Sequence, residues 1–205
     1  MAYRIIKRIF DLTGSILMLI ILFPLFIVLA ILVKSEDGGS VFYKHKRVGM
    51  NGKELGIYKY RSMKRNADKL EDMLTPEQLE EYKREFKIEN DPRITKIGNF
   101  LRKSSLDELP QLINIVKGEL SVVGPRPIIS DELLMYTDEE REKFLSVKPG
   151  LTGYWQAYAR NDATYESGER QRMELYYVDN ACVWLDIKII FKTIFSVLKS
   201  KGVKS

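Results

Sequence analysis

The sequence has one cysteine and one histidine in 205 residues. Cys182 alone forms no intrachain disulfide and no cysteine-based zinc site. His45 alone excludes a His-rich metal centre and leaves little room for a histidine-centred triad. There is no G-x-x-x-x-G-K-[ST], no G-x-G-x-x-G and no H-E-x-x-H. The D-x-D that holds metal and nucleotide in many soluble glycosyltransferases is also missing. Internal repeats and low-complexity tracts are lacking. Acid–base or nucleophilic work therefore falls mostly to carboxylates.

Hydrophobic residues make up 45% of the chain and charged residues 30%, which suits one folded domain with or without an accessory segment. A net charge of +5 and a pI near 9.1 favour an anionic partner: membrane lipid, nucleic acid or a phosphorylated substrate. The basic stripe interleaved with aromatics that marks a nucleic-acid binder is absent, so no nucleic acid is expected.

Eighteen residues from Ile16 to Val33 carry no charge, a length near the lower limit for crossing a bilayer. Lys34-Ser35-Glu36 follows, where a cleaved signal peptide would need a small-x-small site. Pro24 bisects the run, and a proline inside a helix costs about 3 kcal/mol through a lost hydrogen bond and a clash. Basic residues stand on both flanks: Arg4, Lys7 and Arg8 before, Lys34, Lys44, Lys46 and Arg47 after. The positive-inside rule places both flanks in the cytoplasm. A helix that enters, breaks at Pro24 and returns to the same face meets both observations; a kinked single span is the alternative. Residues 1–36 are thus expected to form a re-entrant membrane helix and residues 37–205 a domain on the cytoplasmic face.

Beyond Val33 the pattern is that of a small α+β domain. "SVFYKHKRVG" and "LGIYKYRSM" are β-prone runs, and Asn51-Gly52 between them predicts a hairpin. Residues 64–90 read as a charged helical insertion, with Thr75 as N-cap, Pro76 at the first helical position and Gln78 closing a capping box. Leu106 to Val116 reads as another helix ending at Lys117-Gly118, and "LSVVGPRP" as a short strand running into a rigid loop. Residues 148–161 read as a glycine-containing loop. In the amphipathic helix expected over 183–200, Val183, Trp184, Ile187, Ile190, Phe191, Ile194 and Leu198 fall on one face. Lys188, Lys192, Ser196 and Lys199 fall on the other. Such a helix either packs that apolar face on a core or lies at a lipid interface.

"SSLDELPQL", residues 104–112, sets Asp107 beside Glu108. Ser105 and Glu108 have the spacing of a capping box, which by itself accounts for the pattern. A helix start also presents free N–H groups that suit a phosphate. Neighbouring helix residues diverge by about 100°, so the two carboxylates would divide the labour, one attacking and one holding a metal, and not share a proton. An aspartate attacking a diphosphate meets like-charge repulsion, which calls for Mg²⁺ and arginines. Gly124-Pro125-Arg126-Pro127 offers one: both neighbours of Pro are biased to extended backbone, and Arg126 stands ready for a bidentate phosphate grip.

These residues resemble a known family. "KRIFD" (7–11), the apolar segment broken at Pro24, and "VFYKHKRVGMNGKELGIYKYRSM" (41–63) are similar to bacterial sugar transferases of the monotopic phosphoglycosyl transferase type. So are "DPRITKIGNFLRKSSLDELPQLINIVKGELSVVGPRP" (91–127), "VKPGLTGYWQAYARN" (147–161) and "LYYVDNACVWLDIKIIFKTI" (175–194). The likeness covers the chain apart from 64–90 and points to the small form, with little beyond the catalytic domain. It implies an enzyme of the bacterial inner membrane, monotopic and facing the cytoplasm. Such an enzyme transfers a phosphosugar from a UDP-sugar to polyprenyl phosphate and releases UMP, a first membrane step of glycoconjugate synthesis. It also implies anionic lipid around the protein and downstream glycosyltransferases as partners. The carry-over makes Asp107 the residue that becomes phosphoglycosylated and Glu108 a ligand of Mg²⁺. Lys59, Arg102, Arg126 and Arg160 lie near the substrate phosphates, and Pro24 breaks the membrane helix. Departures from the family pattern are Phe23 before Pro24, Ala159 before Arg160, and Glu174 where an aspartate is common. Two other classes compete: a membrane-anchored glycosyltransferase that passes on only the sugar, and a non-catalytic basic membrane adaptor.

Overall fold

A computed structural model describes residues 2–86, 88, 90–159 and 162–198, except for the side chains of residues 85, 197 and 198. Helix α1 (Ala2–Ile21) and helix α2 (Phe23–Asp37) meet at Leu22 with a bend of 65°. Pro24 lies in the first turn of α2, where its missing N–H ends the hydrogen-bond ladder of α1. Among the described residues no single helix is long and apolar enough to cross a bilayer; this bent pair passes that test only jointly.

A hairpin follows. Strands β1 (Phe42–Val48) and β2 (Glu54–Tyr60) pair antiparallel, with Arg47 opposite Leu55, His45 opposite Ile57 and Tyr43 opposite Lys59. Asn51 (φ 58°) and Gly52 (φ 73°) take the left-handed backbone at its tip, as the Asn-Gly signal requires. Helices α3 (Leu70–Met73) and α4 (Pro76–Glu85) come next. At the start of α4 the Gln78 N–H donates to Thr75 Oγ1 and the Thr75 N–H to Gln78 Oε1, the expected capping box.

Helix α5 (Lys96–Lys103) leads into a 3-10 turn (Leu106–Glu108) and then helix α6 (Gln111–Lys117). This corrects the single helix expected over Leu106–Val116. Pro110 has no N–H to offer an α-helical ladder, and the chain closes instead through Leu109 N–H to Leu106 O at 3.3 Å. Ser105 sits at φ 57° and its side chain makes no cap hydrogen bond, so the expected capping box with Glu108 does not form.

Strands β3 (Ser121–Val123) and β4 (Gly150–Thr152), with helix α7 (Asp138–Leu145) between them in sequence, pair in parallel. A Cβ on Gly150 would lie 2.1 Å from the Gly124 nitrogen, so the loop holding Arg126 approaches β4 only because glycine stands there. The loop expected over 148–161 is in part this strand and helix α8 (Tyr154–Tyr158). Helices α9 (Glu169–Asn180) and α10 (Val183–Leu198) close the chain.

Both ends of the bent pair hold to this one domain. Near the start of α1, Lys7 pairs with Asp186 at 2.8 Å. Arg8 donates to the carbonyls of Ile115 and Val116 at the end of α6. Buried Asp11 accepts from Ser121 Oγ and the Val122 N–H. At the far end of α2, Leu29 and Val33 share a core with Tyr60 and Leu101, and Leu106 and Leu109 pack on it. The apex between them leaves Leu17, Ile20, Ile21, Phe23 and Ile27 exposed.

Helix α10 settles its own orientation. Asp186 and Ile189 are buried, and Thr193 Oγ1 lies 2.7 Å from Thr152 Oγ1. Of the face drawn from the sequence, Val183, Trp184, Phe191 and Ile194 are exposed, Trp184 to 64%, while Ile187 is half-buried and Ile190 packs on the core of Val123, Ala157, Tyr177 and Ile189. Core packing therefore takes only part of that face, and the rest is left outward. The domain takes a stripe in which Leu185, Ile189 and Ile190 pack on the core and Asp186 finds Tyr3, Lys7 and Tyr177.

Candidate active site

The 3-10 turn places Asp107 and Glu108 next to the end of β2. Asp107 is buried, at 6% exposure. Glu108 Oε1 accepts from Lys59 Nζ at 2.9 Å. This ion pair occupies the carboxylate that a capping box would have turned back onto the backbone. The left-handed Ser105 is the strained residue that reverses the chain before the turn.

Lys59, Glu108 and Arg126 line one small, solvent-open cavity, together with Arg47, Ile57, Gln111, Gly150 and Gln156. Asp107 and Arg102 flank that lining and do not contribute to it. Arg102 donates from Nε to Ser62 Oγ at 3.0 Å. Burial lowers its pKa from the usual arginine range, while Asp107 is the largest opposing influence and Glu108 a smaller one. The structure thus brings Lys59, Arg102, Asp107, Glu108 and Arg126 into one neighbourhood. Arg160 lies outside the described residues, and Pro24 belongs to the helix bend.

Arg126 is held from behind. Pro125 and Pro127 have no N–H, and the Arg126 N–H donates to Glu174 Oε2 at 3.1 Å. Glu174 is 1% exposed. Burial pushes its carboxyl up to about 7 although Arg170 and the Arg126 N–H pull the other way. The Arg126 guanidinium lies 5.9 Å from the Trp155 ring centre, and Arg170 is stacked against Trp155 and Tyr165 at 4.2 and 3.9 Å.

Arg47, Gln111 and Glu132 were not singled out as site residues from the sequence. A signal for Arg47 was present: residues 43, 45 and 47 alternate onto one face of β1, and Tyr43 pairs with Lys59, so this is the sheet face of Lys59. Glu132 gave none, because its partners Arg47, Tyr165 and Arg170 come from distant segments.

Among the described residues no three His, Cys, Asp or Glu side chains converge as a metal cage. Glu108 on the cavity wall nonetheless has the donor chemistry for Mg²⁺, which takes one or two carboxylates and completes its shell with waters and substrate phosphate oxygens.

A turn-borne carboxylate pair with Lys59, Arg102 and Arg126 near it thus stands on a domain that holds both ends of a bent apolar helix pair. The model for the bacterial sugar transferase family matches residues 2–200, and the chain belongs to that family. It is 48% identical over 202 residues to the undecaprenyl-phosphate galactose phosphotransferase of Salmonella typhimurium, covering 97% of this chain and 42% of that protein. It is 47% identical over 199 residues to the exopolysaccharide production protein ExoY of Sinorhizobium fredii, covering 96% and 87%. With the UDP-glucose:undecaprenyl-phosphate glucose-1-phosphate transferase of Escherichia coli it shares 37% over 205 residues, covering 97% and 41%. The chain therefore spans less than half of the Salmonella and Escherichia relatives and most of ExoY.

Proposed function

We propose that this protein transfers a phosphosugar from a UDP-sugar to polyprenyl phosphate through a covalent intermediate on Asp107. The observation that carries the reading is the convergence of Lys59, Glu108 and Arg126 on one cavity beside Asp107. An Asp107 carboxylate oxygen attacks the sugar-bearing phosphorus. The Oδ–P bond forms as the bond to the bridging oxygen breaks, and UMP leaves with that electron pair. An oxygen of the lipid phosphate then attacks the same phosphorus, and the Asp107 carboxylate departs. Arg126 and Arg102 stabilise charge on the phosphoryl oxygens, Lys59 orients Glu108, and the Pro125/Pro127 backbone limits the entropy lost in binding. Glu108, with substrate oxygens, would hold Mg²⁺, which when bound neutralises diphosphate charge.

Support for the nucleotide and lipid classes comes from the names of the relatives, two of which act on undecaprenyl phosphate. The test is intact-protein mass spectrometry after UDP-sugar and Mg²⁺ are added without lipid. The expected result is up to one UMP released per enzyme and a phosphosugar on Asp107 that hydroxylamine removes. An adduct elsewhere, or UDP as the released nucleotide, overturns it; UDP would favour transfer of the sugar alone.

The membrane reading is a re-entrant helix at the cytoplasmic face of the inner membrane, with α10 at the interface. Support comes from the attachment of both ends of the α1–α2 pair to one domain and from its exposed apolar apex. Cysteines introduced at Ala2 and Ser40 should be shielded from a periplasmic thiol reagent in intact cells. Ready labelling of Ala2→Cys from the periplasm rules this topology out.

A further inference from the structure

Arg47 has no part in the chemistry above, yet it lines the same cavity as Lys59 and Arg126. Its side chain is only 12% exposed and is fixed on two sides. Nη1 donates to Glu132 Oε1 at 3.1 Å, and Nη2 lies 3.3 Å from His45 Nδ1. Glu132 is shared: its Oε2 also accepts from Tyr165 OH at 2.6 Å and Arg170 Nη2 at 2.9 Å. One carboxylate thus serves two guanidinium groups and leaves positive charge in excess.

The surroundings agree. Burial first, and then the facing Arg126, bring Arg47 down to about 10. Burial, followed by Arg47, Lys59, Arg126 and Arg102, holds His45 at about 3. His45 is therefore neutral at physiological pH, with Nδ1 free to accept from Arg47 and the proton on Nε2. Three cations, Arg47, Lys59 and Arg126, meet one carboxylate, Glu108, around the cavity. An anion lodged between them removes their mutual repulsion, and a guanidinium already clamped by Glu132 loses little freedom in binding it.

We infer that Arg47 is a phosphate-binding residue, its guanidinium held by Glu132 so as to contact phosphoryl oxygens in the cavity shared with Lys59 and Arg126. The inference rests on the reading of this cavity as the phosphate site. The phosphate is either that of the nucleotide donor or that of the lipid acceptor.

The test uses the full chain in nanodiscs, with Arg47→Gln and Arg47→Lys beside wild type and thermal melts as the check on folding. Calorimetric titration with inorganic pyrophosphate should show at least tenfold weaker binding to Arg47→Gln and partial recovery in Arg47→Lys. If Arg47→Gln melts early, Arg47→Lys, which keeps the charge opposite Glu132 but loses the fork, decides the matter. A raised half-saturation for UDP-sugar in lipid-free UMP release assigns the contact to the donor. A raised KM for polyprenyl phosphate alone assigns it to the lipid. Unchanged pyrophosphate affinity, or a fall in kcat with both substrate dependences unmoved, overturns the inference and leaves Arg47 a strut for Glu132. Arg47-dependent pyrophosphate binding in a protein that forms no Asp107 adduct would remove the covalent mechanism and leave this inference standing.

Discussion

Two stretches of this chain carry the same four-residue signal and fold differently. Thr75-Pro76-Glu77-Gln78 forms a reciprocal capping box at the start of α4. Ser105-Leu106-Asp107-Glu108 has the same spacing and forms none. At the first, proline stands at N1, where no N–H is needed, and Thr75, Pro76 and Glu77 are exposed, so local chemistry decides. At the second, Pro110 interrupts the ladder, Ser105 adopts a left-handed backbone, and Lys59 from β2 takes the Glu108 carboxylate. A local signal holds where nothing competes for its groups. Where a distant strand supplies a stronger partner, the signal yields, and Glu108 turns with Lys59 to the wall of a basic cavity.

The largest effect that would break this contrast is at Asp107. Asp107→Asn should abolish UMP release and adduct formation, because an amide does not attack phosphorus, while the melting temperature barely moves. An active Asp107→Asn enzyme would return the second stretch to a purely structural role.

Glu174 sharpens the contrast, since it has no capping signal yet holds the Arg126 backbone. Burial raises its folded pKa to about 7, above the 4.5 of an ordinary glutamate. The folded state therefore binds the extra proton between those values, and the stability linked to it is fully present below pH 4.5 and lost as pH rises to about 7. Glu174→Gln keeps an acceptor for the Arg126 N–H but no titrating group. Relative to wild type it should gain on the order of 1–3 kcal/mol between pH 4.5 and pH 8, read from chemical denaturation. A pH-independent difference would show that the carboxyl is not buried as described.

The smallest effect compares the two caps directly. Thr75→Ala should cost about 1 kcal/mol of stability and leave turnover unchanged. Ser105→Ala should cost only a few tenths, since its side chain caps nothing. Equal losses at both positions would show that the second box forms after all.

Much of the site was legible in the sequence. Asp107, Glu108 and Arg126 lie in short motifs that mark them as candidates, and the structure sets Glu108 and Arg126 on one cavity. Arg47 was passed over because it looked like one more flanking cation, although strand alternation put it on the Lys59 face. Glu132 was not legible at all. Its ion pairs and its Tyr165 hydrogen bond join residues 85, 38 and 33 positions away, and no local pattern encodes such contacts.

By itself the sequence determined the break at Pro24, the Asn-Gly hairpin and the Thr75 cap. Each depends on covalent constraints within a few residues: a missing N–H, a tolerated positive φ, a side chain three positions from its target. Tertiary structure alone decided the state of Glu108, the outward face of α10 and the burial of Glu132 and Glu174. These outcomes turn on which distant group reaches a charge first: Lys59 for Glu108 and Arg47 with Arg170 for Glu132. A buried charge must be paired, and the partner is chosen by the fold.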